Sequence, residues 1–224
     1  MRLNEVQQSQ WETVVSKIRK SCAPYLSQTK LPVYRGMVTN KDTLVHKMRI
    51  DRQPLDTNKK VHDAFDLEFT DHFGWPYRSM AVFATGDASI AAGYANKGDL
   101  VIMIPMGNFN FLWSPVYEDM FAVSHRVDED DEENFQADVE YYVEQGKYTD
   151  KNLDAAVRSE NEIMFACHNG YLALSARAIV ALGGTKVDPN LSRAERDEFE
   201  GEENSLRIIG EKATLEKAWA DIIG

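Results

Sequence analysis

Three short segments carry residue types whose spacing suits chemistry: an arginine closing an apolar strand (Tyr34-Arg35-Gly36), a hydroxyl after an aromatic strand (Phe83-Ala84-Thr85), and two carboxylates around one residue (Glu160-Asn161-Glu162). Arginine offers a planar, permanently charged fork that suits phosphate oxygens better than a lysine does. A fixed carboxylate suits a transition state on which positive charge grows. Residues two apart on a strand share a face, so Glu160 and Glu162 are expected to point the same way, with Ile163 and Phe165 on the other side. Two like charges on one face are costly unless a cation or a polar ligand meets them. Taken singly, each segment also has a plain reading: a surface ion pair for Arg35, a structural hydroxyl for Thr85, a solvated strand end for the carboxylates.

The elements that must position these residues follow from periodicity. Val6, Trp11, Val14, Val15 and Ile18 fall near helical spacing and predict an opening amphipathic helix. Leu31 to Met37 reads as the strand that carries Arg35, Lys41 to Met48 as a short helix, and Val61 to Phe73 as a helix ending at Gly74. Met80 to Thr85 reads as the strand carrying the hydroxyl, with Asp87 capping a helix over Ala88–Ala95. Leu100 to Pro105 and Asn108 to Trp113 predict two strands joined as a hairpin. Helices are expected over 117–123, 135–148 and 153–157, and the strand holding the carboxylates opens at Glu160. Tyr171 to Leu182 reads as one more strand or helix. Residues 183–224 turn polar and acidic, with helices over 192–199 and 212–223, so the chain reads as a domain over 1–182 with a C-terminal extension packed on it.

The order of the three segments resembles the R-S-E class of mono-ADP-ribosyltransferases, which includes cholera-like and clostridial actin-modifying toxins. In that class an aromatic-Arg-Gly strand end precedes a strand patterned F-x-S-T-S, and an E-x-E then opens an apolar strand. Tyr34-Arg35-Gly36 fits the first, and Glu160-Asn161-Glu162-Ile163-Met164-Phe165 the third. Phe83-Ala84-Thr85 places threonine at the first serine, while Gly86 and Asp87 depart from the pattern. The resemblance spans about 33–165 and implies an α+β fold, an ADP-ribosyltransferase-like core of two mostly antiparallel sheets with surrounding helices.

It also implies NAD+ as co-substrate, with ADP-ribose passed to a protein acceptor such as an arginine of a host protein. Glu162 would stabilise the oxocarbenium-like transition state, and Glu160 would orient and deprotonate the acceptor. Arg35, beside Gly36, would meet the pyrophosphate, and Thr85 would hold strand and glutamate together by hydrogen bonds. Tyr94, Phe83, Trp113 and Tyr34 are the aromatic groups available to stack on nicotinamide or adenine. Residues 150–159 occupy the position of the class's acceptor-recognition loop. Two further polar clusters, one of Arg49, Arg52, Asp56 and His62 and the other of Arg78-Ser79, either line the same cleft or form a buried ion network. Segments 52–57 and 73–78 look similar to phage-encoded proteins, for which the site of action would be the host cytoplasm or the virion. The alternatives are an NAD+ glycohydrolase, with water as acceptor, and a catalytically degenerate phage structural or interaction protein.

Composition narrows the classes. The chain has 224 residues, 43% hydrophobic and 27% charged, enough for one ordinary core. A net charge of -11 would repel a phosphate backbone, which argues against non-specific nucleic-acid binding. Two cysteines, Cys22 and Cys167, supply no disulfide framework, and the five histidines show no paired ligand spacing, so no metal is expected. The acidic run 128–133 lacks the glycine turn and terminal glutamate of a calcium loop and reads as a solvated segment. No apolar run approaches the roughly 20 residues of a membrane span, and the start lacks a signal peptide's apolar stretch, so a cytoplasmic chain is expected.

Overall fold

A computed structural model describes residues 3–39, 41–50, 52–54, 57–95, 99–176, 178–179 and 215–224. The elements in chain order are α1 (Leu3–Ser21), α2 (Ala23–Leu26), β1 (Val33–Met37), β2 (Thr43–His46), α3 (Lys59–Phe73), α4 (Tyr77–Met80), β3 (Val82–Thr85) and α5 (Ala88–Gly93). Then follow β4 (Asp99–Pro105), β5 (Phe109–Trp113), α6 (Met120–Ser124), α7 (Phe135–Gln145), α8 (Leu153–Arg158), β6 (Glu162–Cys167) and β7 (Tyr171–Ser175), with a helix α9 over residues 215–223. Asp56 and the expected helix over 192–199 lie outside the described residues. Among the described residues no helix is long and apolar enough to cross a membrane.

The architecture is α+β. All seven strands join one antiparallel sheet in the order β2-β7-β4-β1-β3-β6-β5, where two sheets were expected. The reason lies at the centre of the ladder. β1 and β3 share a single register pair, Tyr34 with Thr85, while β1 and β4 share five and β3 and β6 share four. The sheet is thus two well-paired blocks hinged at one residue pair.

Alternation along β6 explains its unbroken apolar run. Ile163, Phe165 and Cys167 enter one buried cluster with Ile18, Tyr25 and Trp219, while Met164 and Ala166 enter a second with Phe65, Phe69 and Val139. Helices α1, α2, α8 and α9 therefore cover one face of this strand, and α3, α4 and α7 the other. Helix α9 belongs to the main core, where Leu215, Ala218 and Trp219 are buried and the Trp219 indole donates to the Lys30 carbonyl.

Two expectations fail for reasons of pairing. Residues 43–46 form strand β2, because β-branched Thr43 and Val45 find an open edge on β7 and pair with it. The β4–β5 hairpin does not form. Both edges of β4 are taken by β1 and β7, so β5 crosses to the far edge and pairs with β6. The break between them is Gly107, at φ +63°, whose amide donates to the Ser21 carbonyl.

Candidate functional site

The hinge of the sheet brings the three chemistry-bearing segments together. Thr85 pairs with Tyr34, the neighbour of Arg35, on one side and with Glu162 on the other. Thr85 and Glu162 share a sheet face with Phe83 and Met164, toward α3 and α4. Where β1 and β3 part, the Arg35 side chain fills in for the missing ladder, donating from Nη1 to the Phe83 carbonyl at 2.5 Å. The Arg35 Nε is buried and has no hydrogen-bond partner.

Thr85 ties the strand to the carboxylate segment. Its hydroxyl donates to the Glu160 carbonyl at 2.5 Å and accepts the Asp87 amide at 3.1 Å. Gly86, which departs from the resembled pattern, passes so close to α8 that a Cβ there would collide with the Val157 carbonyl oxygen. Asp87 then caps α5 as expected, accepting from the Ser89 and Ile90 amides. Gly36 has an equally local reason: a Cβ there would collide with the α5 backbone at Ala91 and with the backbone of Ala95 just past the helix.

The two carboxylates do not alternate on one strand. β6 begins at Glu162, and Glu160 sits before it in a left-handed turn, φ +62°, with its residue exposed. The same-face argument therefore does not apply to this pair. Glu162 is partly buried and held at both ends by the segment leading into α6: its amide donates to the Glu118 carbonyl at 2.7 Å, and its Oε1 accepts the Met120 amide at 3.2 Å.

Electrostatically the site is a carboxylate facing arginines. Burial pushes the Glu162 carboxyl above the ordinary carboxylate range, with Asp119 adding to the push. The Arg78 guanidinium, the Met120 amide and Arg52 pull in the opposite direction. Arg78 is buried on α4, with its Nε unpartnered and its Nη2 donating to Thr57 at 3.3 Å. Arg52 lies over the Phe83 ring, 3.9 Å from its centroid, and Arg78 stands 5.7 Å from the same centroid. Burial, with Arg35 and Arg78 nearby, lowers the Arg52 guanidinium to about 10. Among the described residues none of these three arginines has a carboxylate within 4.0 Å. Arg52 and Arg78 thus act on Glu162, and Arg35 acts on Arg52; guanidinium groups in such company are suited chemically to pairing with an anion.

The aromatic candidates divide. Tyr34 and Trp113 are core residues, and the Trp113 indole donates to the Lys151 carbonyl. Phe83 is buried beneath the arginines. Tyr94 is 65% exposed, and Asp119 and Glu162 both act on its phenol, which puts it near Glu162. Arg52 and Arg78, which the sequence favoured as structural members of a buried ion network, both stand against Phe83 and both act on Glu162. The available signal was the company of Arg78 and Ser79 beside apolar α4 neighbours, where an arginine must find a reason to be buried. A cavity of about 600 Å3 lies elsewhere, between Thr57–Val61 and the 124–130 segment, and Arg35, Thr85 and Glu162 do not line it. Comparison of the chain with family models, with curated proteins and with solved structures finds no match.

Proposed function

We propose that the protein is a mono-ADP-ribosyltransferase with an ADP-ribosyltransferase-like fold, cleaving NAD+ and passing ADP-ribose to a protein acceptor. The observation that carries this reading is the in-register row Tyr34–Thr85–Glu162, with Arg35 beside it and Arg52 and Arg78 unneutralised around Phe83. NAD+ joins an anionic pyrophosphate to a cationic nicotinamide ribose, and the site joins guanidinium groups to a carboxylate in the same way.

In this reading the arginines hold the pyrophosphate, leaving the nicotinamide ribose toward Glu162. The bond between ribose C1 and the nicotinamide nitrogen breaks, and its electron pair leaves with neutral nicotinamide. Positive charge grows on C1 and the ring oxygen, and ionised Glu162, fixed by the Met120 amide and by its own amide bond to Glu118, stabilises it. An acceptor nucleophile then bonds to C1 and loses a proton, which in this reading goes to Glu160, an exposed residue two before Glu162. Thr85 takes no part in bond making; it fixes the Glu160 backbone.

The test is nicotinamide release and transfer of labelled ADP-ribose when the purified protein is incubated with NAD+ and a bacterial lysate, with Glu162→Gln as control. Labelling that disappears in the folded variant supports the transferase. Nicotinamide release without labelling identifies a glycohydrolase. Neither signal in the wild type removes the catalytic reading.

A further inference from the structure

The α3 helix carries a buried carboxylate, Asp66, on its apolar stripe between Phe65 and Phe69. A core does not need a carboxylate there, and an isolated one is expensive to bury. Every hydrogen bond the Asp66 carboxylate accepts comes from α4, and Oδ2 also lies 3.6 Å from the His62 Nε2 on α3. The Asp66 Oδ1 accepts the Arg78 amide at 2.6 Å and the Ser79 amide at 3.2 Å, and its Oδ2 accepts the Ser79 hydroxyl. His62, one turn earlier, places Nε2 at 3.1 Å from the Ser79 oxygen. Because that hydroxyl donates to Asp66, the imidazole donates from Nε2, and its Nδ1 is left buried without a partner. Burial and Arg78 both lower the His62 pKa, so the ring is neutral in this role.

We propose that Asp66 is a positioning residue, which by clamping the Arg78 and Ser79 amides holds the Arg78 guanidinium at the depth where it faces Glu162. As a statement about catalysis this rests on the transferase reading; as a statement about the two side chains it does not. The groups facing Glu162 are Arg78 from α4, Arg52 from the loop before α3, Asp119 and the Met120 amide from the α6 entry, and the phenols of Tyr94 and Tyr148. Arg78 is the strongest charge acting on Glu162, and Asp66 is joined to Arg78 twice, by the bond to the Arg78 amide and by its charge on the guanidinium. Since Arg78 lowers the Glu162 carboxyl, releasing Arg78 raises it.

The experiment is a carboxyl 13C NMR titration of Glu162 in the full chain, its signal assigned by loss in Glu162→Gln, together with the pH profile of nicotinamide release. Asp66→Ala is expected to move the Glu162 midpoint and the acid limb of the profile to higher pH. Asp66→Asn, which keeps the acceptor oxygen for the two amides, restores both toward wild type. Arg78→Gln moves them the same way, and adding Asp66→Ala to Arg78→Gln brings no further shift. Should Asp66→Ala fail to fold, Ser79→Ala, which removes the hydroxyl's bonds to Asp66 and His62 and keeps the two amide bonds, carries the test, with a smaller shift in the same direction. A midpoint unchanged in the folded variants, or additive shifts in the double variant, overturns the proposal. A wild type that titrates as described but releases no nicotinamide overturns the transferase reading and leaves the Asp66–Arg78 relationship supported.

Discussion

Arg35 donates from Nη1 to the backbone carbonyl of Phe83 across the point where β1 and β3 share only one ladder pair. The side chain thus serves the sheet, and under the proposed reading it also meets the pyrophosphate; a lysine, with one compact ammonium, cannot do both. Arg35→Lys is expected to raise the KM for NAD+ by about 10–100-fold, the worth of roughly 1.5–3 kcal/mol for a hydrogen bond to a charged group. Steady-state nicotinamide release read alongside thermal melting checks this, because a variant that loses only stability leaves KM in place.

Thr85 makes two bonds through one oxygen, to the Glu160 carbonyl and from the Asp87 amide. Thr85→Ser keeps both and should retain activity. Thr85→Val preserves shape but strands a partly buried carbonyl and amide, at a cost of about 1 kcal/mol. Denaturant melts of the two variants separate the outcomes, and equal stability of both would show that the hydroxyl does not hold the segment.

Much of this site was legible as residue type and little of it as partnership. The compact apolar runs Met80–Thr85 and Ile163–Ala166 marked both strands, and Asp87 marked the start of α5, because each signal is local. The ladder order was not legible, since which edge β5 joins depends on β4 being filled on both sides. The left-handed turn at Glu160 likewise follows from closing α8 onto β6, which an E-x-E motif does not encode. Arg52 and Arg78 were visible as members of two separate polar clusters, but their convergence on Phe83 needed the three-dimensional chain. Asp66 had a usable signal: it stands on the same helical stripe as His62, Phe65 and Phe69, where a carboxylate is out of place.

Gly86 accounts for the segment that departs from the resembled motif. Its backbone lies against the Val157 carbonyl, so any side chain must push β3 and α8 apart. Gly86→Ala is expected to cost about 1–3 kcal/mol through overpacking and to reduce nicotinamide release by displacing Thr85 and Glu160 together. Gly93→Ala, at a position with open space, is the control and should change neither melting nor activity.

Glu162 titrates above the ordinary carboxylate range because burial outweighs its arginine neighbours. With the folded pKa above the unfolded one, the protonated form is favoured in the fold, so this group's stabilising share is present in acid and lost as pH rises through the folded pKa. At neutral pH ionised Glu162 therefore costs stability. Glu162→Gln, which keeps an oxygen for the Met120 amide, should melt higher than wild type near neutrality, with the gap closing in acid. Nicotinamide release should fall by about 100–1,000-fold in the same variant. In the wild type, release should decline on acidification at a pH above the usual carboxylate midpoint, where the remaining fraction of ionised Glu162 runs out. A variant that loses activity without gaining stability at neutral pH would show that the carboxylate is held as a structural partner of the arginines.

Arg52 gives the anion half of the site its own test. It lies on Phe83, and burial beside Arg35 and Arg78 lowers its guanidinium to about 10, so a bound anion relieves repulsion among three cations as well as pairing with them. ADP-ribose, which carries the pyrophosphate and lacks nicotinamide, should raise the melting temperature of the wild type. At about 100 times its Kd the gain is roughly 2.7 kcal/mol, several degrees for a chain of this length. The gain should shrink with added salt, as screened arginine–phosphate contacts do. In Arg52→Ala the ligand-free protein should melt close to wild type, because removing one of three like charges offsets the lost ring contact, while most of the ADP-ribose increment disappears. Adenosine, which lacks the pyrophosphate, should give little increment in either protein; an adenosine shift equal to that of ADP-ribose would move the anchoring contact from the arginines to the adenine.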